Sequence, residues 1–219
     1  GCTVLDGLVS LANGIGVAIL RVSPIIMTLA MNVIVQGALA VALPPTPPSS
    51  APPLVANLAL GDTGGMPTPV LAWLLLAVAA SVLLTMTPYG RRLYAIGTNE
   101  TVARLSGVWV SQTVILAYLI SGLTSGVAGI LLVGFFGRSF LGMGDPYLFA
   151  SVAAVAIGGA SLLGGHGHYL GTVAGALVLT LLAGILPILG LDQGWLQVIY
   201  GATILITVGL ATVGPKRRN

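Results

Sequence analysis

Long apolar runs separated by short polar breaks dominate the chain. They fall near residues 3–20, 25–43, 70–87, 113–135, 147–163, 169–190 and 195–213. Each is long enough to cross, or nearly cross, a hydrocarbon layer of about 30 Å at about 1.5 Å per residue. The fifth is short, so it must be thinly covered or buried in the bundle. Lipid offers no partner to a bare backbone N–H or C=O, so each run must satisfy its own backbone, which favours helices. The period-two alternation of a transmembrane barrel is absent. The pattern predicts an all-α fold: a polytopic transmembrane helix bundle of about seven spans forming one membrane domain over residues 1–219.

Two of the polar breaks are long. Residues 44–69 form a proline-rich loop that opens with Pro44-Pro45-Thr46-Pro47-Pro48-Ser49-Ser50-Ala51-Pro52-Pro53. Prolines at this density fix φ and remove donors, which predicts an extended polyproline II or disordered linker. Residues 88–112 contain a polar island, Ala95-Ile96-Gly97-Thr98-Asn99-Glu100-Thr101-Val102-Ala103-Arg104-Leu105-Ser106-Gly107. Asn99 suits an N-cap, because its side-chain oxygen can accept from an unpaired helix N–H. Glu100 follows in the first turn, where the helix dipole favours an acid. Gly107 suits the left-handed residue just past a helix end. The island predicts one capped helix of about two turns, too short to stand alone in water, so it needs a partner surface.

Charge orients this layout. Arg21, Arg91, Arg92, Arg104, Lys216, Arg217 and Arg218 fall on one side of the seven spans, and only Arg138 falls on the other. Basic loops stay in the cytoplasm, so residues 88–112 are cytoplasmic, 44–69 external, and the N-terminus external. A cysteine at Ser50, in a Cys2→Ser background, is expected to react with an impermeant thiol reagent in intact cells, and one at Thr98 is not. Strong labelling at position 98 with none at 50 would reverse the topology.

Composition narrows the function classes. The chain is 56% hydrophobic and only 6% charged, with a net charge of +3, where soluble domains carry roughly a quarter charged residues. The basic residues form no stripe interleaved with aromatics, so no nucleic-acid partner is expected. Cys2 is the only cysteine, which excludes an internal disulfide and a cysteine zinc site. Residues 1–20 lack the basic start and small-residue cleavage site of a secretory leader.

The second motif is Gly158-Gly159-Ala160-Ser161-Leu162-Leu163-Gly164-Gly165-His166-Gly167, followed by Gly171-Thr172-Val173-Ala174-Gly175. Doubled glycines permit close helix approach and a tight, partly unwound link between two spans. The string lacks the Lys-Ser/Thr of a phosphate loop, and no strand is expected to carry one, so ATP, if used, binds elsewhere. His166 and His168 stand two apart, do not share a helix face, and have no cysteine or acid nearby to complete a metal site; they read as a solvated turn, with no metal and no cofactor expected. Ser125 and Ser161 lack a nucleophile elbow. Only Asp6 lies within a span, whereas ion-coupled carriers usually bury an acid or lysine in their path. The polar side chains within spans are Asn13, Thr28, Asn32 and Gln36. They could line a path for a neutral, hydroxyl-rich solute, or bond helix to helix.

The island and the glycine string, in this order and spacing, resemble ABC importer permeases of the branch that carries ribose, xylose, related sugars and autoinducer-2. Asn13-Gly14, Arg21-Val22-Ser23-Pro24, Thr28-Leu29 and Gly37 extend the resemblance weakly across the chain, while Gln36 stands where many relatives carry an arginine. The resemblance implies a transport subunit, not an enzyme, in the bacterial plasma (inner) membrane. It implies ATP-binding cassette subunits docked on Gly97, Asn99, Glu100, Ala103, Arg104, Leu105 and Gly107. It makes Gly158, Gly159, Ser161, Gly164, Gly165 and Gly167 the family glycine motif. Further implied partners are a second permease subunit, identical or paralogous, a solute-binding protein outside, and membrane lipid. A branched-chain amino acid permease of the same superfamily and an ion-coupled secondary transporter are the alternatives. Relatives have about ten spans, so the chain is expected to lack about three N-terminal ones and to be transport-incompetent without them.

Overall fold

The computed structural model describes residues 2–42, 52–63, 65–161, 164–165, 167–190 and 192–213. Along the chain run α1 (Cys2–Ala18), α2 (Pro24–Ala42), α3 (Pro53–Leu60), β1 (Asp62–Thr63), β2 (Met66–Pro67), α4 (Thr68–Met86), α5 (Pro88–Thr98), α6 (Glu100–Leu105), α7 (Val110–Phe136), α8 (Asp145–Ile157), α9 (Tyr169–Ile188) and α10 (Gln193–Val213). Every expected span coincides with a helix. Among the described residues, α2, α4, α7 and α9 are long and apolar enough to cross a membrane, while Thr3–Ala18, Asp145–Ile157 and Gly194–Gly209 are shorter apolar helices. The all-α transmembrane class therefore holds. The fifth span is shorter than its sequence suggested: α8 ends at Ile157, after 13 residues, which at about 1.5 Å each gives only about 20 Å.

The described residues form two compact units, one within Gly1–Ala79 and Arg104–Met143, the other within Ala80–Ala103 and Gly144–Asn219. In the first, α1 packs along α7 and α3 packs against the far part of α7. Small residues make the α1–α7 seam close. A side chain at Gly122 would strike Ser10, and one at Gly126 would come within 3.0 Å of the Thr3 Cα. On α1, a side chain at Gly14 would meet the Ile115 Cα at 3.1 Å. Ser10 and Gly14, like Gly122 and Gly126, stand four apart, so each helix offers a small-residue ridge to the other.

The second unit repeats this device. Gly158 at the end of α8 would, with a side chain, lie 2.5 Å from the Thr172 backbone nitrogen. Gly175 would come within 3.0 Å of the Gly158 nitrogen. Ala154 and Gly158 face Gly171 and Gly175, again four apart on each helix. Around this crossing Ala153, Ala154, Leu179, Leu186, Leu196 and Tyr200 form the buried core of α8, α9 and α10. By contrast α2 and α4 bury no residue, so their apolar sides suit lipid rather than water.

Three expectations need correction. Residues 44–69 are not all loop: Pro53–Leu60 is helical, with Pro at its first position, where the missing N–H costs nothing. It is held by α7, whose Gly134 leaves room for Val55 and Ala59. The prolines at 44–51 lie outside the described residues. A strandless chain was also expected, yet Asp62–Thr63 pairs antiparallel with Met66–Pro67, a two-residue hairpin that fastens the loop before α4. The third correction concerns residues 88–98, which form a helix of their own.

Candidate functional site

The polar break between α4 and α7 contains two helices in succession. Thr87 caps the first: its side chain accepts from the Gly90 N–H at 3.3 Å, and Pro88 takes the first helical position. The Thr87-Pro88 pair is the local sequence signal for this start. Gly90 is buried against the Leu84 backbone, so α5 turns sharply away from α4. Burial raises the Tyr89 phenol above its ordinary pKa, which keeps it a neutral hydroxyl near pH 7. Gly97 belongs to the last turn of α5, ahead of the helix that Asn99 caps.

The capped helix is α6. Asn99 Oδ1 accepts from the Val102 N–H at 3.1 Å, the geometry expected of an N-cap. Gly107 has φ 81°, and its N–H donates to the Arg104 carbonyl at 3.1 Å, which is the left-handed closure. The helix has six residues, close to the two turns expected. Ala103 is only 3% exposed. Glu100, Arg104 and Leu105 are exposed, with Leu105 at 84% and the neighbouring Val102 at 57%. Past α6, Arg104, Val108, Trp109, Ser111 and Gln112 line an open groove of about 370 Å³.

The glycine motif divides into parts with separate duties. Gly159 has φ 75°; its N–H donates to the Ala156 carbonyl, and the Ala160 N–H reaches back to the Val155 carbonyl. This bond pair closes α8. The Ser161 carbonyl accepts from the Gly164 N–H at 3.1 Å. Gly164 and Gly165 both have positive φ. They lie on α5, where a side chain at Gly97 would be 2.7 Å from the Gly165 nitrogen and 3.3 Å from its Cα. The Tyr94 hydroxyl donates to the Gly167 carbonyl at 2.9 Å. His168 occupies the N-cap position of α9 without a side-chain cap bond, and His166 lies outside the described residues. The two motifs that the sequence presented separately therefore touch, through α5.

The four polar side chains within spans do not form one set. Thr28, Asn32 and Gln36 stand at four-residue spacing along α2 and so share a face. Thr28 and Asn32 are exposed, and Gln36 is half-buried. The Thr28 hydroxyl donates to the Pro24 carbonyl at 2.9 Å. Asn13 is instead buried on α1, 9% exposed. Its Oδ1 has no donor among the described residues.

Comparison with known proteins adds identity to this geometry. The ribose import permease protein RbsC of Escherichia coli (strain K12) is 34% identical over 208 residues, covering 93% of this chain and 65% of that protein. The ribose import permease protein RbsC of Bacillus subtilis (strain 168) is 39% identical over 144 residues, 66% of this chain and 45% of that protein. The xylose transport system permease protein XylH of E. coli (strain K12) is 35% identical over 158 residues, 72% of this chain and 40% of that protein. The chain thus spans between 40% and 65% of the length of these relatives. No solved structure matches it significantly. A family profile described as "Branched-chain amino acid transport system / permease component" matches residues 2–208, so the chain belongs to that permease family.

Proposed function

We propose that this chain is part of the membrane-spanning subunit of a bacterial ABC importer. It acts in the plasma (inner) membrane and moves a pentose or similar neutral sugar inward by alternating access. The observation that carries the reading is the match to a ribose import permease over 93% of the chain. The family's own description favours a second reading, a branched-chain amino acid as solute. The chain does no chemistry in either case. Separate cassette subunits bind and hydrolyse ATP, a second permease subunit completes the pore, and a solute-binding protein delivers the sugar from outside.

The residues divide the work physically. α6 offers the ATPase an exposed apolar edge, Val102 and Leu105, on a helix fixed at both ends by Asn99 and Gly107. Glu100 and Arg104 form its polar rim. Thr28, Asn32 and Gln36 give α2 a row of uncharged hydrogen-bonding groups, suited to a solute rich in hydroxyls. Such groups can exchange bonds with a sugar without the desolvation cost of a buried charge. Asn13, buried on α1, contributes to that path only if the helices around it part during the cycle.

The test uses the full-length protein in a strain lacking its own pentose permeases, supplied with the cognate cassette and binding proteins. Labelled ribose or xylose is expected to accumulate, and unlabelled leucine is not expected to compete. Leucine uptake without pentose uptake would establish the second reading. Accumulation that persists when the cassette subunit cannot hydrolyse ATP would point to a secondary transporter.

A further inference from the structure

The contact between α5 and the glycine loop has a form that matters mechanically. It is backbone on backbone. A side chain at Gly164 would meet the Gly97 carbonyl oxygen at 3.0 Å, and one at Gly165 would meet the Thr98 Cα at 3.2 Å. Apart from the Thr98 hydroxyl, 3.3 Å from a side chain placed at Gly165, the nearest atoms across the contact are backbone. Alongside them the Tyr94 hydroxyl reaches the Gly167 carbonyl at 2.9 Å. Two residues later α9 begins, at Tyr169. In the other direction α5 ends at Thr98, and Asn99 caps α6. A displacement at α6 therefore enters α5 through one residue, Asn99, and has a stiff route from α5 into the first turn of α9. Packed backbones shift as units rather than deforming gradually.

We propose that Tyr94 is a positioning residue that fastens the loop carrying Gly164, Gly165 and Gly167 to α5, so that α5 and the start of α9 move as one strut during transport. The inference rests on the permease reading and adds to it the element that carries motion from the cytoplasmic helices into the membrane. The hydroxyl does the fastening, and the ring serves only as a spacer. Gly97 is the seat, where any side chain would lift the loop.

The experiment uses the complete complex in proteoliposomes, with sugar uptake and ATP hydrolysis measured on the same vesicles. The ratio of sugar moved to ATP hydrolysed is insensitive to how much protein folded, since poor folding lowers both. Tyr94→Phe keeps the ring and loses one hydrogen bond. It is expected to lower the ratio about fivefold, the shift that one ordinary hydrogen bond produces in an equilibrium. Gly97→Ala is expected to lower it further. An unchanged ratio in both variants overturns the strut. A wild-type complex that shows no coupled hydrolysis at all overturns the permease reading instead.

A second measurement leaves Tyr94 and Gly97 intact. Spin labels replace Arg92 on α5 and Leu170 at the start of α9, both exposed. Their separation is expected to change by less than about 1 Å between the nucleotide-free and ATP-bound complexes, below the scale of helix shifts in switching proteins. A larger change means the contact is a hinge, and the proposal fails.

Discussion

Gly175→Leu is expected to prevent the α8–α9 pair from assembling, and with it to abolish stable insertion of the second unit. The first side-chain carbon alone would strike the Ala154 carbonyl oxygen and lie 3.0 Å from the Gly158 nitrogen. Both are backbone atoms, so no rotamer change relieves the clash. Overpacking a core with flexible neighbours costs about 1–3 kcal/mol, and here the helices must part instead. Parting is costly in lipid, where association depends on close packing rather than on expelling water. α8 has the least to fall back on, being 13 residues long and packed chiefly on α9 and α10. The control lies on the same helix: a side chain at Gly184 would meet nothing within 4 Å, so Gly184→Leu is expected to fold normally. Membrane-inserted yield and thermal unfolding in detergent read the difference. Equal yields and melting for the two variants would show that the crossing does not hold the unit together.

That crossing also marks the boundary of what the sequence could tell. The small residues at 154, 158, 171 and 175 stand at the spacing of close helix contacts, so a close approach somewhere was legible. Which ridge meets which was not, because spacing within a helix says nothing of its neighbour. The seven helices themselves were readable from hydropathy, since the energy that places a span in lipid is summed over its own residues. Asn99 and Gly107 were readable for a similar reason: a cap is satisfied within a few residues of itself. The failures share a cause. α3 looked like more of the proline linker, because its stability comes from a gap at Gly134 on α7, far along the chain. α5 is not legible from hydropathy despite the Thr87-Pro88 start, because its polar and basic residues match no apolar run. Nothing local marks Tyr94, since its partner lies 73 residues away and the contact exists only in the folded unit. Asn13 is the inverse case: its type marks it as a polar residue within a span, and only the fold shows that it is buried.

Ala103→Trp is expected to abolish uptake while the protein remains inserted in the membrane. Ala103 is 3% exposed on a six-residue helix, so an indole there must displace the helix from its seat. At about 1–3 kcal/mol of overpacking, docking of the cassette subunit weakens about 5- to 150-fold. Gly107→Val should act in the same direction, because φ 81° is a conformation that a β-branched residue resists. Both variants disturb α6 itself, so a third separates docking from local folding. Leu105 is 84% exposed, and Leu105→Ser removes little contact within the chain. If α6 seats in the cassette subunit, this edge becomes buried on docking. Burying a leucine contributes about 1.5–3 kcal/mol, so co-purification of the cassette subunit and sugar uptake should fall together. If Leu105→Ser keeps normal assembly and uptake while Ala103→Trp loses both, α6 matters only as a folded turn between spans, and the cassette subunit docks elsewhere.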